Sequence, residues 1–253
     1  TATTEIYTLS LHDALPTWGY REVLPPAWLP WEEVGFGVTG LPAQACKLLD
    51  PEGQVVSLRP DNTLLVARLA ARELADQPRP LRLCYCADVF RRARAGGLTA
   101  VPQAGLELVG SASPLADAEV LALAAESLRV LGVEDFRLAV GHVGVLRDLL
   151  ESAGLPAERR QEVMEALQRR DFVALERALA GSPAARDELW ERLTVPVPAE
   201  RFPAGAGEEG RNLAEVLALL RTPELRGKVV VELGLVRDLD YYTGLVFEVA
   251  APG

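Results

Sequence analysis

Two hydrophobic rhythms run along the chain: a period of two, which marks half-buried strands, and a period near 3.6, which marks amphipathic helices. "WGYREVLPPAWLP" (18–30) has neither for long and predicts a short strand or an extended segment. "ACKLLDPEGQVVSLRPD" (45–61) carries two apolar runs around Asp-Pro-Glu-Gly and predicts a hairpin. In "NTLLVARLAARELADQ" (62–77) Leu65, Leu69 and Ala70 recur at helical spacing, with Asp61 placed to cap the helix. "LRLCYCADVF" (81–90) is predicted as a strand, 91–101 as a loop, and "PQAGLELVG" (102–110) as the returning strand. "LADAEVLALAAESLRVLG" (115–132) predicts a helix, with Asp117 and Glu119 near its positive end and Gly132 at its stop. "FRLAVGH" (136–142) predicts a further strand.

From Val145 to about Leu220 the texture changes to short amphipathic helices, predicted over 145–153, 157–169, 171–180, 183–193 and 211–221. Pro, Gly and Ser punctuate them. Strand texture returns in "GKVVVELGLVRDLDYYTGLVFEVA" (227–250), where two apolar runs flank a polar, aromatic-rich turn. There is no internal repeat and no low-complexity tract. The pattern is α+β: an antiparallel sheet flanked by helices, with a helical insert at about 146–225.

Composition adds limits. With 253 residues, 49% of them hydrophobic and 25% charged, the chain can bury a sizeable core. A net charge of -10 argues against a nucleic-acid partner, although a local basic patch can coexist with it. Three cysteines fit a reducing compartment, and a cytoplasmic location is expected. Cys84 and Cys86 fall on one strand face and are expected to pack as small apolar side chains. Two cysteines and two distant histidines make a poor ligand set, so no metal is expected. No apolar run approaches membrane-spanning length and no signal peptide is visible.

"TATTEIYTLSLHDALP" lacks the texture of the rest of the chain. It resembles the conceptual translation of a sequencing adapter, codon by codon from Glu5 to Pro16, and residues 1–16 are expected to be foreign to the natural protein. His12 is therefore set aside as a site residue. The other end stops after a strand and a turn, so 17–253 is expected to be a core truncated at its C-terminus.

Three stretches concentrate polar groups at strand ends and turns. In "LRPDNT" (58–63), Asp61 and Thr63 could hold an ammonium group; the plainer role is the helix cap already named. Arg91 leads into a strand whose Gln103, Gly105 and Glu107 share one face, and a buried glutamate there would need a polar pocket. The plainer alternative is an edge strand with a solvated face. In "RDLDYYTG" (237–244), Arg237 could grip a carboxylate in a bidentate manner, with Tyr241 and Tyr242 as a flat wall bearing hydroxyls; the alternative is a polar hairpin turn.

Together these stretches resemble the catalytic core of class II histidyl-tRNA synthetases. "LRPDNT" is similar to their "LRPEGT", "VFR…QAGLELVG" to their second class motif, and "LVRDLDYYTGLVFE" to their "RGLDYYTGTVFE". The resemblance spans roughly 18–253 and is least specific in the insert. It implies a histidine pocket, with Glu107, Tyr241 and Tyr242 reading the imidazole. Asp61, Thr63 and Gln103 would hold the amino group, and Arg91 and Arg237 would lie near the carboxylate.

In the synthetases a glutamate that helps seat ATP follows the motif arginine by two positions. Here Arg91 is followed by Arg92 and Ala93, in a shortened arm ending "AGGLTAV". "CYCADVFR", "QAGLELVG…ADAEVLALA" and "FRLAVGHVGVL" further resemble the regulatory subunits of ATP phosphoribosyltransferase, paralogues of the synthetases. That resemblance implies a non-catalytic regulatory subunit without catalytic residues or cofactor. It would form a homodimer within a hetero-oligomer, pair with a short-form catalytic subunit, and take histidine as effector. The alternative is a histidyl-tRNA synthetase catalytic-core fragment. Two departures stand out: Asn62 where Met or Gly is more usual, and Asp238 in place of a glycine.

Overall fold

The structure is a computed structural model that describes residues 15–34, 45–93, 96–180, 186–203, 207–236 and 242–251. Two units are distinguished by their internal contacts, residues 1–112 with 126–132, and residues 113–125 with 133–253.

The first unit contains β1 (Arg21–Glu22), β2 (Trp28–Pro30), β3 (Cys46–Leu49), β4 (Val55–Leu58), α1 (Thr63–Arg72), β5 (Leu81–Arg92) and β6 (Leu98–Val109). β2, β4 and β3 form one antiparallel sheet. Its β3–β4 hairpin closes because the Asp50 carboxylate accepts from the backbone N–H groups of Glu52 and Gln54, while Gly53 supplies a positive φ of 79°. A second sheet has the order β1-β5-β6, with β1 parallel to β5 and β5 antiparallel to β6.

α1 links the two sheets of this unit. Asp61 caps it, its Oδ1 accepting from Leu64 N at 2.9 Å. Leu65 packs with Leu29, Val34 and Ala45, while Val66 and Ala70 pack with Leu81, Leu83 and Tyr85. The helix ends at Arg72, short of the predicted 77. Arg79 reaches back to donate to the carbonyls of Ala70 and Leu74, groups that a longer helix would have bonded internally.

The predicted loop at 91–101 is mostly strand. The β5–β6 ladder runs without a break from Leu81↔Val109 to Arg92↔Leu98, so both strands extend to the return of the hairpin, at Arg92 and Leu98. Consecutive glycines Gly96 and Gly97, both at positive φ, allow that tight return.

The second unit takes most of α2 (Pro114–Val130), then β7 (Arg137–His142), α3 (Val143–Ser152), α4 (Ala157–Gln168), α5 (Phe172–Leu179), α6 (Arg186–Thr194), β8 (Val197–Pro198), α7 (Glu208–Leu219), β9 (Val229–Val231) and β10 (Leu245–Ala250). Its sheet has the order β10-β7-β9-β8, antiparallel except where β7 and β9 run parallel. The helices α3 to α6 share an apolar core: Leu146, Leu150, Val163, Leu167, Leu175, Leu179, Leu189 and Leu193 are all buried. Among the described residues, no helix is long and apolar enough to cross a membrane.

Candidate functional site

Strand alternation sorts the arm into two faces. Directly opposed pairs in an antiparallel ladder project to the same side. Leu83↔Glu107, Tyr85↔Gly105, Ala87↔Gln103 and Arg91↔Thr99 are such pairs, so Arg91, Gln103 and Glu107 share one face. The start of α1 meets this face. Glu107 is half-buried, and the desolvation of its carboxylate pushes its pKa up. The Thr63 hydroxyl donates to its carboxylate and pulls the pKa back, while the charge of Asp61 raises it further. Asn62, fully buried, donates its amide to Gln103 Oε1 at 3.2 Å and to Ala87 O at 3.0 Å.

Asp61, Thr63, Gln103 and Glu107 are thus brought together, two carboxylates beside a hydroxyl and an amide. Such an acceptor-rich site suits a ligand with N–H groups or positive charge. Asp61 is the helix cap of the sequence reading, and the cap uses only one of its carboxylate oxygens, Oδ1. Arg91 lies further along the same face, and its Nε is buried without a hydrogen-bond partner among the described residues. A buried guanidinium donor left open in this way can take a carboxylate.

Arg237 and Tyr241 lie outside the described residues. Tyr242 belongs to the second unit and packs against Ala139, Val143, Leu235 and Val246.

Three contributors escaped the sequence reading. Asn62 bridges the helix start to the arm, and its Oδ1 is buried without a hydrogen-bond partner among the described residues. Tyr85 lies across Gly105, where a built Cβ would stand 2.4 Å from the ring Cζ and Oη. A glycine opposite a tyrosine on neighbouring strands was the available signal. Arg59, also buried, donates from Nη1 to Pro25 O at 2.6 Å and from Nε to Asp88 O, tying the chain before β2 to the arm.

The second unit holds a buried histidine that the sequence reading also passed over. His142 caps α3, its Nδ1 accepting from Val145 N at 3.4 Å, and its Nε2 lies 3.4 Å from Glu209 Oε2. Burial lowers its pKa, against the opposing pull of Glu209, Asp117 and Asp148. Among the described residues, no group of three or more His, Cys, Asp or Glu side chains is arranged to hold a metal ion.

A family model described as histidyl-tRNA synthetase matches residues 2–253. A relative from Anaeromyxobacter dehalogenans, named ATP phosphoribosyltransferase regulatory subunit, is 40% identical over 96% of this chain and 74% of its own length. The chain belongs to the histidyl-tRNA synthetase family, in its branch of ATP phosphoribosyltransferase regulatory subunits. A regulatory subunit of that name from Symbiobacterium thermophilum is also 40% identical, and this chain spans 64% of its length. A crystal structure from Bacillus halodurans, described as an ATP phosphoribosyltransferase regulatory subunit/histidyl-tRNA synthetase, superposes with a TM-score of 0.87 at 30% identity, covering 99% of this chain and 68% of that one. The α+β, class II synthetase-like fold implied by the motifs is therefore the fold of this chain.

Proposed function

We propose that the protein is a non-catalytic regulatory and activating subunit of ATP phosphoribosyltransferase, at the first step of histidine biosynthesis, and that it binds histidine as effector. The observation that carries this is the half-buried cluster of Asp61, Thr63, Gln103 and Glu107 beneath an arm whose Arg91 is followed by Arg92 and Ala93. Acceptors for the amino and imidazole groups are kept. The arm's carboxylate for seating ATP is not there, and adenylation needs such groups in place before reaction. The names of the relatives support the same assignment.

The resemblance to the synthetases further assigns Arg91 and Arg237 to the histidine carboxylate, and Tyr241 and Tyr242 to its imidazole. The partner would be a separate short-form catalytic subunit, joined by a homodimer of this protein in a cytoplasmic hetero-oligomer, with neither nucleic acid nor membrane involved. Histidine bound here can inhibit that partner only by binding one state of the complex more tightly than another.

The test is to titrate histidine into the full-length protein mixed with the catalytic subunit while following phosphoribosyl transfer. The wild type should activate transfer and confer inhibition by histidine. A Glu107→Ala complex should stay active but need more histidine. No activation and no shift in histidine response would refute the assignment. Histidine-dependent pyrophosphate exchange with ATP by the full-length protein would instead establish the synthetase alternative.

A further inference from the structure

The arginine stretch has a second face. Arg92 pairs with Leu98 on the side of the arm opposite Arg91 and Glu107. There a cavity of about 610 Å³ opens within the first unit, bounded by Trp31, Cys46, Lys47, Arg92, Gly97 and Leu98. Its volume falls in the range of small-molecule sites. Cys46 and Ala45 are buried at its floor, while Leu98 is 55% exposed and offers an apolar wall.

The cavity is electropositive. Lys47 Nζ stands 3.8 Å from the centroid of the Trp31 ring, a cation–π contact that keeps the ammonium at the cavity wall. The charge of Arg92 reaches the Cys46 thiol and pulls its pKa down against the larger effect of burial. Neither Lys47 nor Arg92 has a carboxylate partner among the described residues.

On a chain of net charge -10, two cations left unpaired in one concavity concentrate anions there. A planar guanidinium beside a point-charge ammonium suits the oxygens of a phosphate, and the Trp31 and Leu98 side chains suit the apolar body of its carrier. The geometry points to a binding site for a phosphorylated small molecule on this face, its phosphate held between Lys47 and Arg92. The site is separate from the histidine cluster and does not depend on it.

Calorimetry on the full-length protein with inorganic phosphate, ribose 5-phosphate and AMP tests it, a series that adds first a sugar and then a ring. Saturable binding is expected, weakened about ten- to a hundredfold in Lys47→Gln and in Arg92→Gln, with histidine affinity unchanged. Lys47→Arg and Arg92→Lys keep the charge and should keep most of the binding, which separates loss of contact from loss of fold. Equal affinity for all three probes would assign recognition to the phosphate alone. Tighter AMP binding with quenched tryptophan fluorescence would add the ring wall. Absence of saturable binding by all three at millimolar concentration, or binding that survives both glutamine substitutions, would overturn the site. Loss of histidine binding in Glu107→Ala with phosphate binding intact would leave it standing.

Discussion

Replacing Glu107 by Gln removes one negative charge at nearly constant volume, and the two consequences should have opposite signs. The carboxylate sits beside Thr63 and Asp61, with its pKa raised mainly by burial. A carboxyl group whose folded pKa lies above its unfolded value binds a proton more readily in the native state. The stability linked to that proton is fully present below the unfolded value, about 4.3, and is lost as pH rises through the folded value. Near neutral pH the ionised carboxylate therefore costs stability. Glu107→Gln should melt higher than wild type there, and the gap should close toward acidic pH. The Thr63 hydroxyl can still donate to the glutamine oxygen, so the packing survives. Histidine binding should change the other way. Losing one charge-assisted contact costs roughly 1.5–3 kcal/mol, about ten- to a hundredfold in affinity. Thermal melts across pH, with calorimetry at neutral pH, measure both effects. Unchanged histidine affinity would remove Glu107 from the pocket. A lower melting temperature at neutral pH would refute the desolvation argument.

Gly105→Ala should destabilise the arm by about 1–3 kcal/mol, because its Cβ would lie 2.4 Å from Tyr85 Cζ, within a ring that is itself buried; urea titration showing no loss would mean that Tyr85 moves aside freely. His142 has a lowered folded pKa, so the unfolded chain takes up its proton first. Its contribution to stability should be present above about pH 6.5 and fall as pH drops through that value. His142→Asn, which can still cap α3, should flatten this part of the pH–stability curve, and parallel curves for the two proteins would refute the role.

The motif residues show how far the sequence alone could reach. Period-two alternation was enough to place Gln103, Gly105 and Glu107 on one face, because in a strand the face follows from the backbone. Turn chemistry at Asp50–Gly53 and the cap at Asp61 were likewise legible, since each depends on residues a few positions apart. The loop predicted at 91–101 failed for the converse reason. Arg91 and Arg92 are strand only because Thr99 and Leu98 pair with them across the hairpin.

The same limit governed the buried polar groups. Asn62 stood out in the sequence only as a departure from the family's pattern, and the arm's approach is what turns it into a bridge to Gln103. His142 ends a strand like many others until Asp117, Asp148 and Glu209 face it. Lys47 and Arg92 are far apart in the chain and meet only because β3 packs near the arm. Local backbone periodicity is written in neighbouring residues, and so the sequence by itself determined most of the elements, their faces and the family they resemble, though not where each element ends. Desolvation, partner choice and cavities depend on which distant segments exclude water from a side chain, and those were decided by the tertiary structure.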